Sequence, residues 1–169
     1  MLPLENIRIL DFTHLPPGQF CTMMLSDMGA KVLRVEQPQK SDAYSALVPA
    51  YKAFNRNKRS IGLNLRSEEA RQVVYKIVEK MDVVVEGFRP GVAKRLGIDY
   101  QTLGKINPRV IYCSMTGYGQ EGPYRDVPGH DINYIAIGGA LSMFGDPPLI
   151  MSNLIGDYAG GTLHAVIGI

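Results

Sequence analysis

With 169 residues, 46% of them hydrophobic, the chain can bury one core and is expected to form one domain or one piece of a larger one. A formal net charge of +2 is too small to imply nucleic acid, no window of 18 uncharged apolar residues suggests a membrane span, and the start "MLPLENIRIL" lacks the basic-then-apolar order of a signal peptide. Cys21 and Cys113 lie far apart in apolar surroundings, which reads as two thiols in a reducing, cytoplasmic compartment, with neither a disulfide framework nor metal-ligand spacing.

Taken in order, short apolar runs alternate with helical patterns, the signature of an α/β parallel sheet with flanking helices. "IRILDF" (7–12) reads as a strand. "PPGQFCTMMLSDMGA" (16–30) reads as a turn and a helix stopped by Gly29, and "KVLRVE" (31–36) completes a βαβ unit. "RSIGLNL" (59–65) is a third strand. Ser67 can cap the next helix, with Glu68 and Glu69 in its first turn, where the helix dipole favours acids. "DVVVEGF" (82–88) is a fourth strand, after which Pro90 opens a short helix that Gly97 ends. Asp99 caps another helix that stops before Pro108, and "VIYCSM" (110–115) is a fifth strand.

A glycine-rich loop, "TGYGQEGPYRDVPG" (116–129), then delivers the chain to "GHDINYIAIGGALS" (129–142), a helix with two ionisable groups at its mouth. The last stretch, "NLIGDYAGGTLHAVIGI" (153–169), is an apolar helical pattern without a polar cap. It implies the front portion of a longer protein, and that the 169 residues by themselves self-associate, aggregate or need the rest of the protein for stability.

His130 and Asp157 are the candidates for chemistry. A lone histidine near an apolar helix is more often structural. His130, however, follows a long loop, opens a helix and has Asp131 beside it, where free N–H groups can also hold an oxyanion. Asp157 interrupts an apolar helix between glycines; it is either a capping aspartate or a useful buried carboxylate, and the glycines themselves suit ligand approach or helix packing. Basic residues gather in "YKAFNRNKRS" (51–60), with Arg34, Arg66 and Arg89 at or beyond strand ends. They form a solvated face or a site for a phosphorylated ligand. "PPGQF" sits where a phosphate loop would but lacks its motifs. Met143, Phe144 and Met151 are either core or an adaptable apolar wall.

Together, "IRILDFTHLPPGQFCTMMLSDMGAKVLRVEQP", "NRNKRSIGLNL", "DVVVEGFRPGVAKRLG", "NPRVIYCSMTGYGQEGP" and "NLIGDYAGG" resemble the class III coenzyme A transferase superfamily, and "GHDINY" resembles its α-methylacyl-CoA racemase branch. The resemblance implies that residues 1–169 are the N-terminal part of a Rossmann-like, CoA-binding large domain. It also implies an interlocked homodimer in the whole protein, an acyl-CoA substrate, and no cofactor apart from the coenzyme A within that substrate. It casts His130 and Asp157 as the two proton carriers and Asp131 as a supporting group. Leu63, Asn64, Leu65 and Arg66 match stretches lining the acyl-CoA site, as do Gly129, Ile132, Asn133 and Tyr134, and Arg89 matches an arginine near the CoA; Arg34 is a further candidate contact from its place at a strand end. Gln37 stands where racemases tend to place an arginine, so anchoring of the nucleotide end is either weaker or supplied by Lys58, Arg59 or Arg66. The rival readings are a transferase in which Asp157 is the nucleophile, and an inactive CoA-binding or dimerisation fragment.

Overall fold

The computed structural model describes residues 1–38, 49–150 and 153–169. All five expected strands form: β1 (Arg8–Asp11), β2 (Lys31–Glu36), β3 (Arg59–Gly62), β4 (Val83–Glu86) and β5 (Ile111–Ser114). They make one parallel sheet in the order β3-β2-β1-β4-β5. The chain winds outward from β1 to β3, then returns to the other side of β1. The C-terminal ends of β1 and β4 therefore flank the point where the order reverses, which is where open α/β sheets place their ligands.

Both faces of the sheet are covered, and the period-2 alternation of strand side chains assigns them. Leu10, Val35 and Val84 point to one side, against Val74 and Val78 of α2 (Glu68–Val78) and Leu103 of α4 (Tyr100–Ile106). Ile9, Val32, Val83 and Val85 point to the other, against Cys21 and Leu25 of α1 (Pro16–Asp27). Burial pushes the Cys21 thiol up to about 12, so it is an inert packing group.

The predicted caps are partly realised. The Ser67 hydroxyl accepts the Ala70 N–H at 3.2 Å, as the pattern requires. Asp99 precedes α4, but its carboxylate takes the Thr102 hydroxyl at 2.7 Å and not a first-turn N–H. Pro90 is followed by Gly91 at φ 83°, and α3 (Val92–Leu96) starts only after it.

The later helices depart from expectation. The stretch from 129 divides into α5 (Asp131–Ile137) and a 3-10 turn, Ala140–Phe144, with Gly139 at φ 80° between them. The last stretch is a π-helix, Gly156–Leu163, running into a short α6 (His164–Gly168). Met143 is exposed, so it is not a core residue here; Met151 lies outside the described residues.

The α1 face holds a buried charge network. Asp11 ends β1 with its carboxylate fully enclosed, and the Lys58 side chain beside it is 1% exposed. One Asp11 oxygen accepts the Thr13 N–H at 2.8 Å and the Thr13 hydroxyl at 2.6 Å. The other accepts the Thr22 hydroxyl at 2.6 Å and Lys58 Nζ at 3.3 Å. Lys58 also donates to the Gln19 carbonyl at 2.9 Å and to Thr22 Oγ1 at 2.7 Å. The expectation that Lys58 could anchor a ligand is therefore corrected: its ammonium is spent inside the fold. Burial holds its pKa below the usual lysine range, with Asp11 opposing that effect.

Removing one partner of a buried ion pair strands the other. Lys58→Met is expected to cost about 3–5 kcal/mol, and adding Asp11→Asn should recover part of that loss. Urea melts of the two single variants and the double variant check this; strictly additive losses would contradict it. A second expectation concerns the surface. Met143, Leu149, Ile150 and Ile167 are exposed, and such apolar surface favours association. Sedimentation velocity on the 169 residues should show concentration-dependent self-association; a single monomeric boundary at all concentrations would contradict it.

Candidate active site

Two features lie at or beyond the C-terminal edge of the sheet. The first is a cleft of about 250 Å³ lined by the residues that follow four strands: His14 after β1, Gln37 after β2, Leu63 to Arg66 after β3 and Phe88 after β4. Arg95 of α3 also lines it. The cleft thus brings Leu63, Asn64, Leu65 and Arg66 together, with Arg66 and Arg95 as its cations. The His14 ring meets Phe88 edge-on at 5.8 Å, closing one wall. Asn64 shapes the turn by accepting the Arg66 N–H at 3.2 Å.

Two predicted contacts lie elsewhere. Arg34 is on the buried α1 side of β2, its NH1 donating to Glu36 at 2.7 Å. Arg89 is exposed and lines a separate cleft of about 310 Å³ on the β4–β5 side, with Glu86, Lys94, Ser114 and Arg125. Glu86 shapes that region: its buried carboxylate accepts the Phe88 N–H at 2.7 Å and the Ser114 hydroxyl. Burial raises its pKa despite those bonds.

The second feature is the mouth of α5. His130 is exposed and precedes the helix with extended backbone, φ −132° and ψ 175°. Asn133 turns back so that its side-chain oxygen accepts the His130 N–H at 2.9 Å, while the Asn133 N–H donates to the His130 carbonyl at 2.8 Å. The mouth is thereby fixed, and the N–H groups of Asp131 and Ile132, as the first of the helix, have no intrahelical acceptor. The Tyr134 hydroxyl donates to the Gly129 carbonyl at 2.6 Å, and its ring meets Tyr118 edge-on at 5.1 Å. The loop glycines are there for that ring: a Cβ on Gly129 would fall 2.6 Å from Tyr134 Cε1.

Asp157 arrives from the π-helix. Its N–H donates to Asp131 Oδ1 at 2.9 Å, joining the first turns of the two helices. Gly156 permits the approach, since a Cβ there would stand 3.1 Å from the same carboxylate oxygen and 3.2 Å from the Asp131 carbonyl. Burial first, and the charge of Asp131 second, hold the Asp157 carboxyl above the usual range, with His130 pulling the other way. Burial likewise raises Tyr134, with Asp157 and Tyr118 adding to it. His130, Asp131, Tyr134 and Asp157 therefore form one electrostatic unit, which lies outside the residues lining the 250 Å³ cleft. Among the described residues no cluster of His, Cys, Asp and Glu could hold a metal, and no helix is long and apolar enough to cross a membrane.

Sequence reasoning missed His14 and Arg95. His14 sits in a turn without a motif, and Arg95 looks like one more basic residue on a five-residue helix. The only signal for either was position: each lies just beyond the C-terminal end of a central strand.

The pattern of CoA-transferase family III matches residues 4–169. The chain belongs to that family. It is 37% identical over 171 residues to the human α-methylacyl-CoA racemase, covering 99% of this chain and 43% of that protein. It is 38% identical over 170 residues to the acetyl-CoA:oxalate CoA-transferase of Acetobacter aceti, covering 94% and 44% respectively. The crystal structure of a CAIB/BAIF family protein from Brucella suis superposes with a TM-score of 0.91 at 34% identity, over 98% of this chain and 47% of that one. The chain thus spans less than half the length of these relatives.

The electrostatic unit can be tested directly. Carbon-detected NMR titration should find Asp157 above the usual carboxylate midpoint, and Asp131→Asn should move it down by removing the nearest negative charge. An Asp157 midpoint unchanged by Asp131→Asn would show that the two carboxylates do not interact.

Proposed function

We propose that the whole protein racemises 2-methylacyl-CoA thioesters by moving the α-proton from one face of the carbon to the other, and that this chain supplies both proton carriers. The observation that carries the reading is an exposed histidine at the mouth of one helix and a half-buried aspartate on a second, the two helices joined by the bond from the Asp157 N–H to Asp131. Inversion needs a base on one face and an acid on the other. One carrier removes the α-hydrogen as a proton, and the C–H electron pair passes into the thioester carbonyl as an enolate. The other carrier returns a proton to the opposite face.

The chemistry suits these groups. A proton carrier works best when its pKa lies near the operating pH, and burial moves the Asp157 carboxyl toward that condition. The first N–H groups of α5, on Asp131 and Ile132, are donors for the enolate oxygen. The cleft lined by Leu63 to Arg66 and by Arg95 suits the nucleotide end of coenzyme A, whose phosphates match the arginine forks. In the whole protein the expected assembly is a homodimer, and no cofactor is needed beyond the coenzyme A of the substrate.

The second reading is a CoA transferase in which the Asp157 carboxylate attacks the thioester carbonyl and expels the CoA thiolate, leaving a mixed anhydride. Identity to an oxalate CoA-transferase, at 38%, favours it as much as identity to the racemase favours the first. His130 distinguishes the two, because a transferase has no use for a second proton carrier.

Solvent-deuterium exchange tests the proposal. The full-length protein should exchange the α-hydrogen of a 2-methylacyl-CoA with no acceptor acid present. His130→Ala and Asp157→Asn should each slow exchange from one enantiomer by ~10²–10⁴-fold while CoA binding survives. Exchange at the parent rate in both variants would sink the racemase reading, and a hydroxylamine-trapped acyl adduct on Asp157 would establish the transferase.

A further inference from the structure

The π-helix is held at both ends of the turn that carries Asp157. At its start, the Asp157 N–H is bonded to Asp131. Five residues on, Thr162 is the one residue of the π-helix that is fully buried, at 0% exposure. Its hydroxyl donates to the Pro17 carbonyl at 2.7 Å, across 145 positions of sequence. A buried hydroxyl without an acceptor is costly, so this bond constrains how the helix can sit. The spacing matters too. In an α-helix at 3.6 residues per turn, position 162 would lie roughly 140° around the axis from 157. The wider i→i+5 turn of a π-helix brings the two closer to one face.

The acceptor is itself fixed. Pro17 belongs to the first turn of α1, one turn from the Gln19 and Thr22 groups that Lys58 and Asp11 hold. Gly161 packs on the Pro17 ring, 3.7 Å from where its Cβ would stand, and Tyr158 meets Phe20 of α1 edge-on at 5.1 Å. Thr162 is therefore the polar link between the rigid α1 face and the helix that presents the carboxylate.

We propose that Thr162 is a positioning residue for Asp157: its hydroxyl, anchored on the Pro17 carbonyl, sets the rotation of the π-helix and hence the direction of the carboxylate. The inference rests on Asp157 acting as a proton carrier. Without the anchor the helix keeps its contacts at Asp131, Pro17 and Phe20 but loses the polar constraint on its rotation, so the carboxylate shifts relative to His130, Asp131 and Tyr134, the titratable groups that face it. A misplacement of about 1 Å in a reacting group can cost ~10²-fold in rate.

The experiment compares Thr162→Val, which keeps the shape without the donor, with Thr162→Ser, which keeps the donor, in the full-length protein. Thr162→Ala replaces the valine variant if that one does not fold. Two readouts are taken: the NMR titration midpoint of Asp157 without ligand, and the steady-state kinetics of α-hydrogen exchange on a 2-methylacyl-CoA. Loss of the donor should lower the midpoint toward the usual carboxylate range and cut kcat by ~10–10²-fold with KM nearly unchanged, while serine restores both. A parent midpoint and kcat in the valine variant would overturn the proposal, as would equal losses in the valine and serine variants. If the parent protein exchanges no α-hydrogen at all, the proton-carrier reading falls, and the titration alone decides whether Thr162 positions Asp157.

Discussion

The buried pair of Asp11 and Lys58 is the constraint from which the site follows. A carboxylate removed from water at the end of the central strand must be satisfied on every side. Asp11 achieves this with Thr13 from the following turn, Thr22 from α1 and Lys58 from the start of β3. The same bonds fix the turn between β1 and α1. That turn presents His14 to the cleft and sets the start of α1, whose Pro17 carbonyl meets the π-helix. The cleft and the π-helix are thus referred to one rigid point in the sheet.

The cleft and the mouth of α5 nevertheless occupy different surfaces. The cleft at the reversal of strand order is built from strand ends, with arginines at its edge, and suits a long anionic ligand. His130 and Asp157 stand at the mouths of two helices, where a glycine lets one helix close on the other's carboxylate. Low polarity around Asp157 raises its proton affinity, and Asp131 adds to it. That environment would serve a base as well as a nucleophile. On the proposed reading His130 separates the two roles, because only the racemase uses a second proton carrier.

Much of this was legible in the sequence because it is local. The five strands announce themselves as short apolar runs between turn signals, and Ser67 caps α2 through a bond spanning three residues. His130 and Asp157 each stood out from their local sequence, but casting them as a pair came only from family resemblance, since nothing in their spacing of 27 positions suggests it. The fate of Lys58 was hidden for the same reason: it looks like part of a basic surface run, yet tertiary packing encloses it. The π-helix leaves no periodic signal, because a wide turn over eight residues is too short to shift the apolar pattern. Asp99 misled because a hydroxyl three residues on competes for the carboxylate that a cap would use.

The central claim is that His130 and Asp157 face opposite sides of one carbon. A crystal structure of the full-length protein with a 2-methylacyl-CoA tests it most directly. The account predicts the α-carbon between the His130 ring and the Asp157 carboxylate, each in hydrogen-bonding reach of its own face, with the nucleotide end against Arg66 and Arg95. A structure placing the Asp157 carboxylate against the thioester carbonyl carbon, with His130 turned away from the substrate, would contradict it.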